Sequence, residues 1–507
     1  MTSRHRTPIL LLAAFTILMA TPAWLVPWLA GASLAVMALR GARALAARLE
    51  ARDPPSGAIR LGADPRGRPL DIAQEDLAGH ALIVGASGSG KTTTLLALLR
   101  EQVAAGLPVI AVDLKGSPAF ARALQSASRA AGRSFRLWTT DGGATWNPLR
   151  YGNATELKDK LVATERFTEP HYQRAAERYL QAVLRALLLA RPHDRPTLPE
   201  VVRMMDPRRL PALLRELPGE EAAAMHDYLA GLTPDQHSAI RGLQTRLALI
   251  TESHVGRFLA PGGSHDEVDL RAALSGGPVV LFSLNSSAYG KLASQIGTLA
   301  VQDLLSVLGR QLADGGPPPA PAMIAIDEFS GLGGDHVAHL FARVREAGGR
   351  VLLATQELAD LERAAPGLRD QVVGNTALKI VHRQDVPGSA RLVAEMAGTE
   401  RVWEETRARG GLLGNRAPAR GTRRQVDRYI LDPNRIMRLA TGEAAVISKL
   451  RAGRARIIRV RAAGREGPAG RGRLPGREGP AGRGGSPGRD GPERREGPAG
   501  REGPALG

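Results

Sequence analysis

Eight residues, Gly85-Ala86-Ser87-Gly88-Ser89-Gly90-Lys91-Thr92, satisfy the spacing G-x-x-x-x-G-K-[ST]. The chemistry of that spacing is phosphate binding. Glycines let backbone N–H groups turn inward around phosphate oxygens, the Lys ammonium reaches the β- and γ-phosphates, and the Thr hydroxyl ligates Mg²⁺. The expected ligands are ATP and Mg²⁺, held by Gly85, Ser87, Gly88, Ser89, Gly90, Lys91, Thr92 and Thr93. The flanks fit this reading. His80-Ala81-Leu82-Ile83-Val84 is an apolar run of strand length, and Leu95, Leu98, Leu99 and Val103 follow at helical spacing before Gly106 and Pro108.

Hydrolysis needs acids as well. Two apolar strands end in Asp: Val109-Ile110-Ala111-Val112-Asp113 and Met323-Ile324-Ala325-Ile326-Asp327. Only the second is followed by another acid, Glu328. A carboxylate near Mg²⁺ and a second that orients or deprotonates water are the pair that phosphoryl transfer to water requires. Asp327 is therefore assigned to the metal, together with Thr92, and Glu328 to catalysis. Asp113 is read as structural or as a contact from a second strand. A third strand, Val351 to Ala354, ends in Thr355-Gln356, and the Gln356 amide is placed to touch a γ-phosphate.

These residues need a scaffold, and the chain alternates strand-like and helical runs around them. The fold class is α/β, a P-loop NTPase of RecA-like type with a mostly parallel sheet and helices on both faces. Residues 51–153 hold its first part, beginning with a Pro/Gly/charge-rich linker from Ala51 to Asp71, and residues 263–461 hold its second. Between them, 154–262 lose the strand pattern. Tyr179, Val183, Leu187 and Leu188 recur at helical spacing, and Thr197-Leu198-Pro199-Glu200 is a capping box, so an all-α insertion is expected. A long helix is expected from about Tyr289 to Leu312. Further strands are expected at Leu378–Val381, Ala445–Ser448 and Ile457–Val460.

The ends differ from the middle. Thr7 to Leu39 carries no charged side chain and would make a helix about 50 Å long, well beyond a ~30 Å hydrocarbon layer. Pro22 and Pro27 interrupt it beside Trp24 and Trp28, and Arg lies on both flanks. A membrane hairpin within residues 1–50, both ends cytoplasmic, follows from the positive-inside rule, with one kinked span and, last, a cleaved signal peptide ending near Ala20-Thr21-Pro22-Ala23 as the alternatives. From Gly464 to Gly503 glycine recurs every third residue with breaks at Arg473 and Arg494, so residues 462–507 read as a low-complexity tail, expected to be disordered. The absence of Cys excludes disulfides and thiolate chemistry. A net charge of +18 fits an anionic partner such as nucleic acid or phospholipid, or Arg enrichment from a GC-rich genome. No sequence-specific DNA-reading motif is present. Arg407, Arg409, Arg416, Arg420, Arg423 and Arg424 form a basic segment suited to a phosphate backbone or to plain solvation.

Taken in order, the anchor, the phosphate loop, Asp113-Leu114-Lys115-Gly116, Trp146-Asn147-Pro148-Leu149, the helical insertion, Asp327-Glu328 and Ala354-Thr355-Gln356 resemble the type IV secretion coupling proteins of bacterial conjugation. The resemblance spans about Gly62 to Val460 and includes Gly374-Asn375 and Gly442-Glu443-Ala444-Ala445-Val446. It implies a homo-hexameric ATPase of the bacterial inner membrane, its ATPase domain in the cytoplasm. It also implies sequence-independent DNA binding, and partnership with a relaxase or relaxosome and the secretion channel. It further implies an arginine reaching a neighbour's site, for which Arg345 matches best by position, with Arg343 and Arg350 as rivals. Two departures stand out: no extracytoplasmic segment separates the two apolar arms, and Leu114 replaces a common Pro. The alternatives are a chromosome-segregation type of DNA translocase and a non-motor ATP-binding scaffold.

Overall fold

In a computed structural model, residues 57–461 are described except for 166, 168, 262–265, 316–319, 333–334, 408–420 and 451–454. Seven further positions between 31 and 41 are also described, as helix. The expected hairpin (apart from those positions), the Gly-x-y tail and Arg409, Arg416 and Arg420 lie outside the described residues.

One twelve-stranded sheet organises the chain. Its strands in chain order are β1 (Ile59–Ala63), β2 (Pro69–Ile72), β3 (Ala81–Val84), β4 (Val109–Asp113), β5 (Phe135–Thr139), β6 (Gly142–Gly143), then β9 (Val279–Ser283), β10 (Met323–Asp327), β11 (Arg350–Thr355), β12 (Leu378–Val381), β15 (Glu443–Ser448) and β16 (Arg456–Val460). Two short pairs stand apart from it, β7 (Thr145–Trp146) with β8 (Glu267–Val268) and β13 (Thr399–Arg407) with β14 (Gly421–Tyr429).

The spatial order is β2-β1-β16-β15-β12-β3-β11-β10-β4-β9-β5-β6. From β12 to β5 every neighbouring pair is parallel, and the flanking strands are antiparallel. The parallel strands are apolar on both faces because helices cover both. Leu82, Val84, Ile110, Val112, Ile324 and Ile326 enter one core, and Ala81, Ile83, Val109, Ala111, Met323 and Ala325 enter the other.

The parallel register fixes what meets at the sheet edge. Asp327 lies opposite Asp113 on one side and Ala354 on the other, while Thr355 lies opposite Val84. Each of these strands therefore delivers its last residues to the same C-terminal edge, the side where open α/β sheets bind ligands.

The helical stretch begins at Ala154–Val162 and continues through Pro170–Ala190, Leu198–Met204, Leu210–Leu214, Gly219–Ala230 and Pro234–Thr251. Its entry and exit are tied together, since Trp146 of β7 pairs with Val268 of β8 in parallel. It shares one continuous hydrophobic cluster with the sheet, in which Tyr179, Val183 and Leu187 join Phe282 and Leu304.

A buried network locks this junction. The Trp146 indole donates to Asp303 Oδ2 at 3.0 Å, Lys160 Nζ reaches Asp303 Oδ1 at 2.8 Å, and Asn147 donates to the Pro196 carbonyl at 3.2 Å.

One expectation changes. The segment expected as a linker from Ala51 to Asp71 contains β1 and β2, which extend the sheet through Gly62↔Val460. Ile59, Leu61 and Ile72 are buried there, so alternation rather than a continuous apolar run carries the strand. The basic segment containing Arg423 and Arg424 is part of the β13–β14 hairpin, where Arg423 pairs with Glu405 at 2.7 Å and lies over the Trp403 ring.

The long helix is Ser286–Ala313. Among the described residues it alone has the length and apolarity to cross a membrane, but 72% of its apolar window is buried inside the protein. It is a core helix.

Candidate functional site

β3 runs directly into the phosphate loop, and the helix Lys91–Ala104 begins at its end. Gly88 and Gly90 adopt φ of +72° and +110°, backbone that only glycine adopts without strain. Gly85 is needed for space: a Cβ there would sit 2.5 Å from Ser89 Oγ and 2.6 Å from His382 Cβ. Ser87, Gly88 and Thr93 are exposed, Thr92 is half-buried, and Lys91 and Ser89 are buried. Ser89 Oγ has no hydrogen-bond partner among the described residues. An unsatisfied hydroxyl inside a glycine cradle at a helix N-terminus fits a phosphate group, so the expected ATP suits this loop.

β10 supplies the acids. Asp327 is buried, and burial raises its carboxyl to about 6 despite the nearby Lys91 ammonium. Glu328 sits just past the strand at φ +56°, a strained conformation for a non-glycine residue. Its Oε1 receives Lys91 Nζ at 2.5 Å, Lys115 Nζ at 2.6 Å and the Gln356 amide at 3.3 Å. Burial pushes the Glu328 carboxyl up, but Lys91 and Lys115 outweigh it and hold the group below its ordinary value. Two neighbouring carboxyls are thus driven in opposite directions, the pattern of a site that handles protons near neutrality.

The structure brings Lys91, Asp327, Glu328 and Gln356 together at one edge. Arg345 is not among them. It stands exposed near the end of the helix Asp335–Glu346, on the side of the sheet where His80 lies, and its charge adds to the burial that lowers that ring's pKa. That is the opposite edge of the sheet, about 15 Å along the strands from Glu328, so Arg345 does not serve its own phosphate loop. Arg343 is exposed on the same helix. Arg350 is excluded as a rival, because it is buried and bonded to Gln74 and Gln102.

Three features were given no role in the sequence reading. Lys115 lies in the Asp113-Leu114-Lys115-Gly116 turn, a segment that carries the resemblance without assigning the lysine a task. His382 locks the loop from behind: its Nδ1–H donates to the Glu443 carbonyl at 2.8 Å, and its Nε2 accepts from the Thr94 hydroxyl at 2.9 Å. Third, Gly442 donates its N–H to the Ser89 carbonyl at 2.9 Å, and Thr441 Oγ1 bonds the Gly88 carbonyl at 3.2 Å. Asp113, the second strand-end acid, accepts the backbone N–H groups of Lys115 and Ser117 at 3.0 and 2.7 Å and so closes its own turn.

Sheet order, loop and strand-end acids together define a P-loop nucleotide-binding domain of RecA-like fold. Comparison with known proteins gives this class a more particular setting. Residues 321–441 match the family described as the TraM recognition site of TraD and TraG, and residues 42–108 match the FtsK/SpoIIIE family. The fold is similar to that of the bacterial conjugative coupling protein TrwBdeltaN70, with a TM-score of 0.60 at 16% identity over 82% of this chain and 93% of that one. It is similar as well to the plasmid coupling protein TrwB in complex with ADP and Mg²⁺, with a TM-score of 0.60 at 14% identity over 81% and 91% of the two chains. VirB4 of Thermoanaerobacter pseudethanolicus follows with a TM-score of 0.51 at 14% identity over 81% and 98%. No curated protein matches the chain. The resemblance read from the motifs and the fold of the solved coupling proteins agree.

Proposed function

We propose that this chain is an ATPase of the conjugative coupling class, which couples ATP hydrolysis to moving DNA into a type IV secretion channel. The observation that carries it is the meeting of Lys91, Asp327, Glu328 and Gln356 at one sheet edge, in a fold similar to solved coupling proteins. Gly85, Ser87, Gly88, Ser89, Gly90, Lys91, Thr92 and Thr93 bind the phosphates. Thr92 and Asp327 hold Mg²⁺, which offsets charge on the phosphate oxygens. Glu328 orients and deprotonates the attacking water, and Gln356 senses the γ-phosphate.

Arg345 acts in a neighbouring subunit's site within a homo-hexamer, consistent with its exposure and its distance from its own phosphate loop. The match of 321–441 to a TraM recognition segment speaks for a relaxosome component as a partner. Residues 7–39 anchor the chain in the bacterial inner membrane with the ATPase in the cytoplasm, and Leu34, Val36 and Met37, helical and exposed, fit that role. DNA is gripped through its backbone, without regard to sequence.

The test is ATP turnover by the full-length protein with and without single- and double-stranded DNA of unrelated sequences, beside mating assays of a deletion strain. DNA-stimulated hydrolysis and lost transfer with normal chromosome segregation are expected. Hydrolysis indifferent to DNA would point to the scaffold reading, and defective segregation to a chromosomal translocase.

A further inference from the structure

Lys91 and Lys115 both meet Glu328 Oε1, at 2.5 and 2.6 Å, yet they are placed very differently. The Lys91 side chain is 4% exposed and rises from the first residue of the phosphate-loop helix, whereas that of Lys115 is 39% exposed. The Lys115 backbone is held firmly all the same. Asp113 accepts its N–H at 3.0 Å, Leu114 N–H reaches the Asp327 carbonyl at 3.5 Å, and Ser286 N–H bonds the Leu114 carbonyl at 2.7 Å. Gly116 follows at φ +66°, where a Cβ would lie 2.5 Å from Asn285 N. A fixed turn thus carries a movable ammonium to Glu328.

An ammonium drawn to a phosphate oxygen gives up most of its hold on a carboxylate beside it. If Lys91 were the only counter-ion, phosphate binding would strip Glu328, whose side chain is only 13% exposed, of its charge partner, a costly state. We propose that Lys115 is a positioning residue, the reserve counter-ion that keeps Glu328 paired when Lys91 turns to the nucleotide phosphates. Lys115 thereby lowers the cost of nucleotide binding and holds the Glu328 carboxylate in place. This rests on the ATPase reading of the site and adds to it a residue that neither the motifs nor the comparisons assign.

The closing experiment is a double-mutant cycle on nucleotide affinity, read by titrating a fluorescent ATP analogue with Mg²⁺ into the full-length protein in detergent, without DNA. Lys115→Met should weaken binding about tenfold, within the range over which directly contacting residues couple. In a Glu328→Gln background the same substitution should change affinity less than twofold, because no carboxylate is left to compete for Lys91. Lys115→Arg, which keeps the charge, should bind as the wild type does. Equal weakening in both backgrounds would reduce Lys115 to a structural role and overturn the proposal, as would unchanged affinity of Lys115→Met. An Arg variant as weak as the Met variant would remove the electrostatic account. Since DNA is absent throughout, failure here is separable from failure of the translocation reading, which DNA-stimulated turnover decides.

Discussion

Glu328 concentrates the chemistry of this molecule. It carries a strained backbone, two ammonium partners and an amide partner within a single side chain's reach. Glu328→Gln keeps the shape and loses the base, so ATP should still bind while turnover falls by about 10² or more. Lys91→Ala removes the group that reaches the phosphates and should abolish both binding and turnover. Steady-state hydrolysis beside analogue binding checks the pair. Wild-type turnover by Glu328→Gln would refute the assignment of the base.

The phosphate loop and Asp327-Glu328 were legible because each rests on local spacing, four residues between the glycines or one step past an apolar run. The roles of Lys115, His382 and Gly442 were not, because sheet order, parallel at β4 and β12 and antiparallel at β15, brings them to the site. The contact from Thr94 to His382 spans 288 positions in sequence. No local pattern announces a partner that distant.

At the scale of elements, the junction between the helical stretch and the sheet rests on Lys160 and Asp303, whose side chains are 2% and 3% exposed. Removing one partner strands a buried charge. Lys160→Met should therefore cost about 3–5 kcal/mol in a denaturant melt, while the pair Lys160→Met with Asp303→Leu should recover part of that, the Trp146 indole being left without its acceptor. A loss below 1 kcal/mol in the single variant would show that the junction stands without the ion pair.

Two histidines tie the helices to the sheet and make a second expectation. Burial drives both His80 and His382 down to about 4 from an ordinary 6.5. Their Nδ1 and Nε2 respectively accept from the Val351 N–H and the Thr94 hydroxyl, so neither ring has room for a second proton. The unfolded chain binds protons at these rings below pH 6.5 and the native chain does not until about pH 4. Their contribution is therefore complete above 6.5 and is lost as the pH falls from 6.5 toward 4. Melting temperature should drop through that window, and the slope should be shallower in a His80→Gln, His382→Gln double variant. Equal slopes would dismiss the histidines as its cause. At this scale the buried strands read well as continuous apolar runs, while β1 and β2 were hidden because Pro, Gly and charge break the visible part of their alternation.

At the scale of the whole molecule, the proposed ring makes Arg345 a residue whose work is done in another subunit. Arg345→Ala subunits should hydrolyse ATP about 10³-fold more slowly alone, the low end of what an arginine in trans supplies. Mixed with Lys91→Ala subunits they should regain part of the activity, because some sites then pair an intact loop with an intact arginine. A mixture no more active than its parts would argue against a shared site.

The sheet closes in a way that bears on this assembly. β1, near the start of the described chain, pairs with β16, near its end, through Gly62↔Val460, and Gly442 bonds the phosphate loop at Ser89. During synthesis, a ribosome that has already released Gly85 to Thr92 must add some 350 more residues before that loop acquires its support. Long-range closure of this kind is slow, since the cost of bringing distant segments together precedes the gain. Each nascent chain would then carry its phosphate loop unsupported through most of synthesis, and the capacity to hold ATP would come only with the last strands.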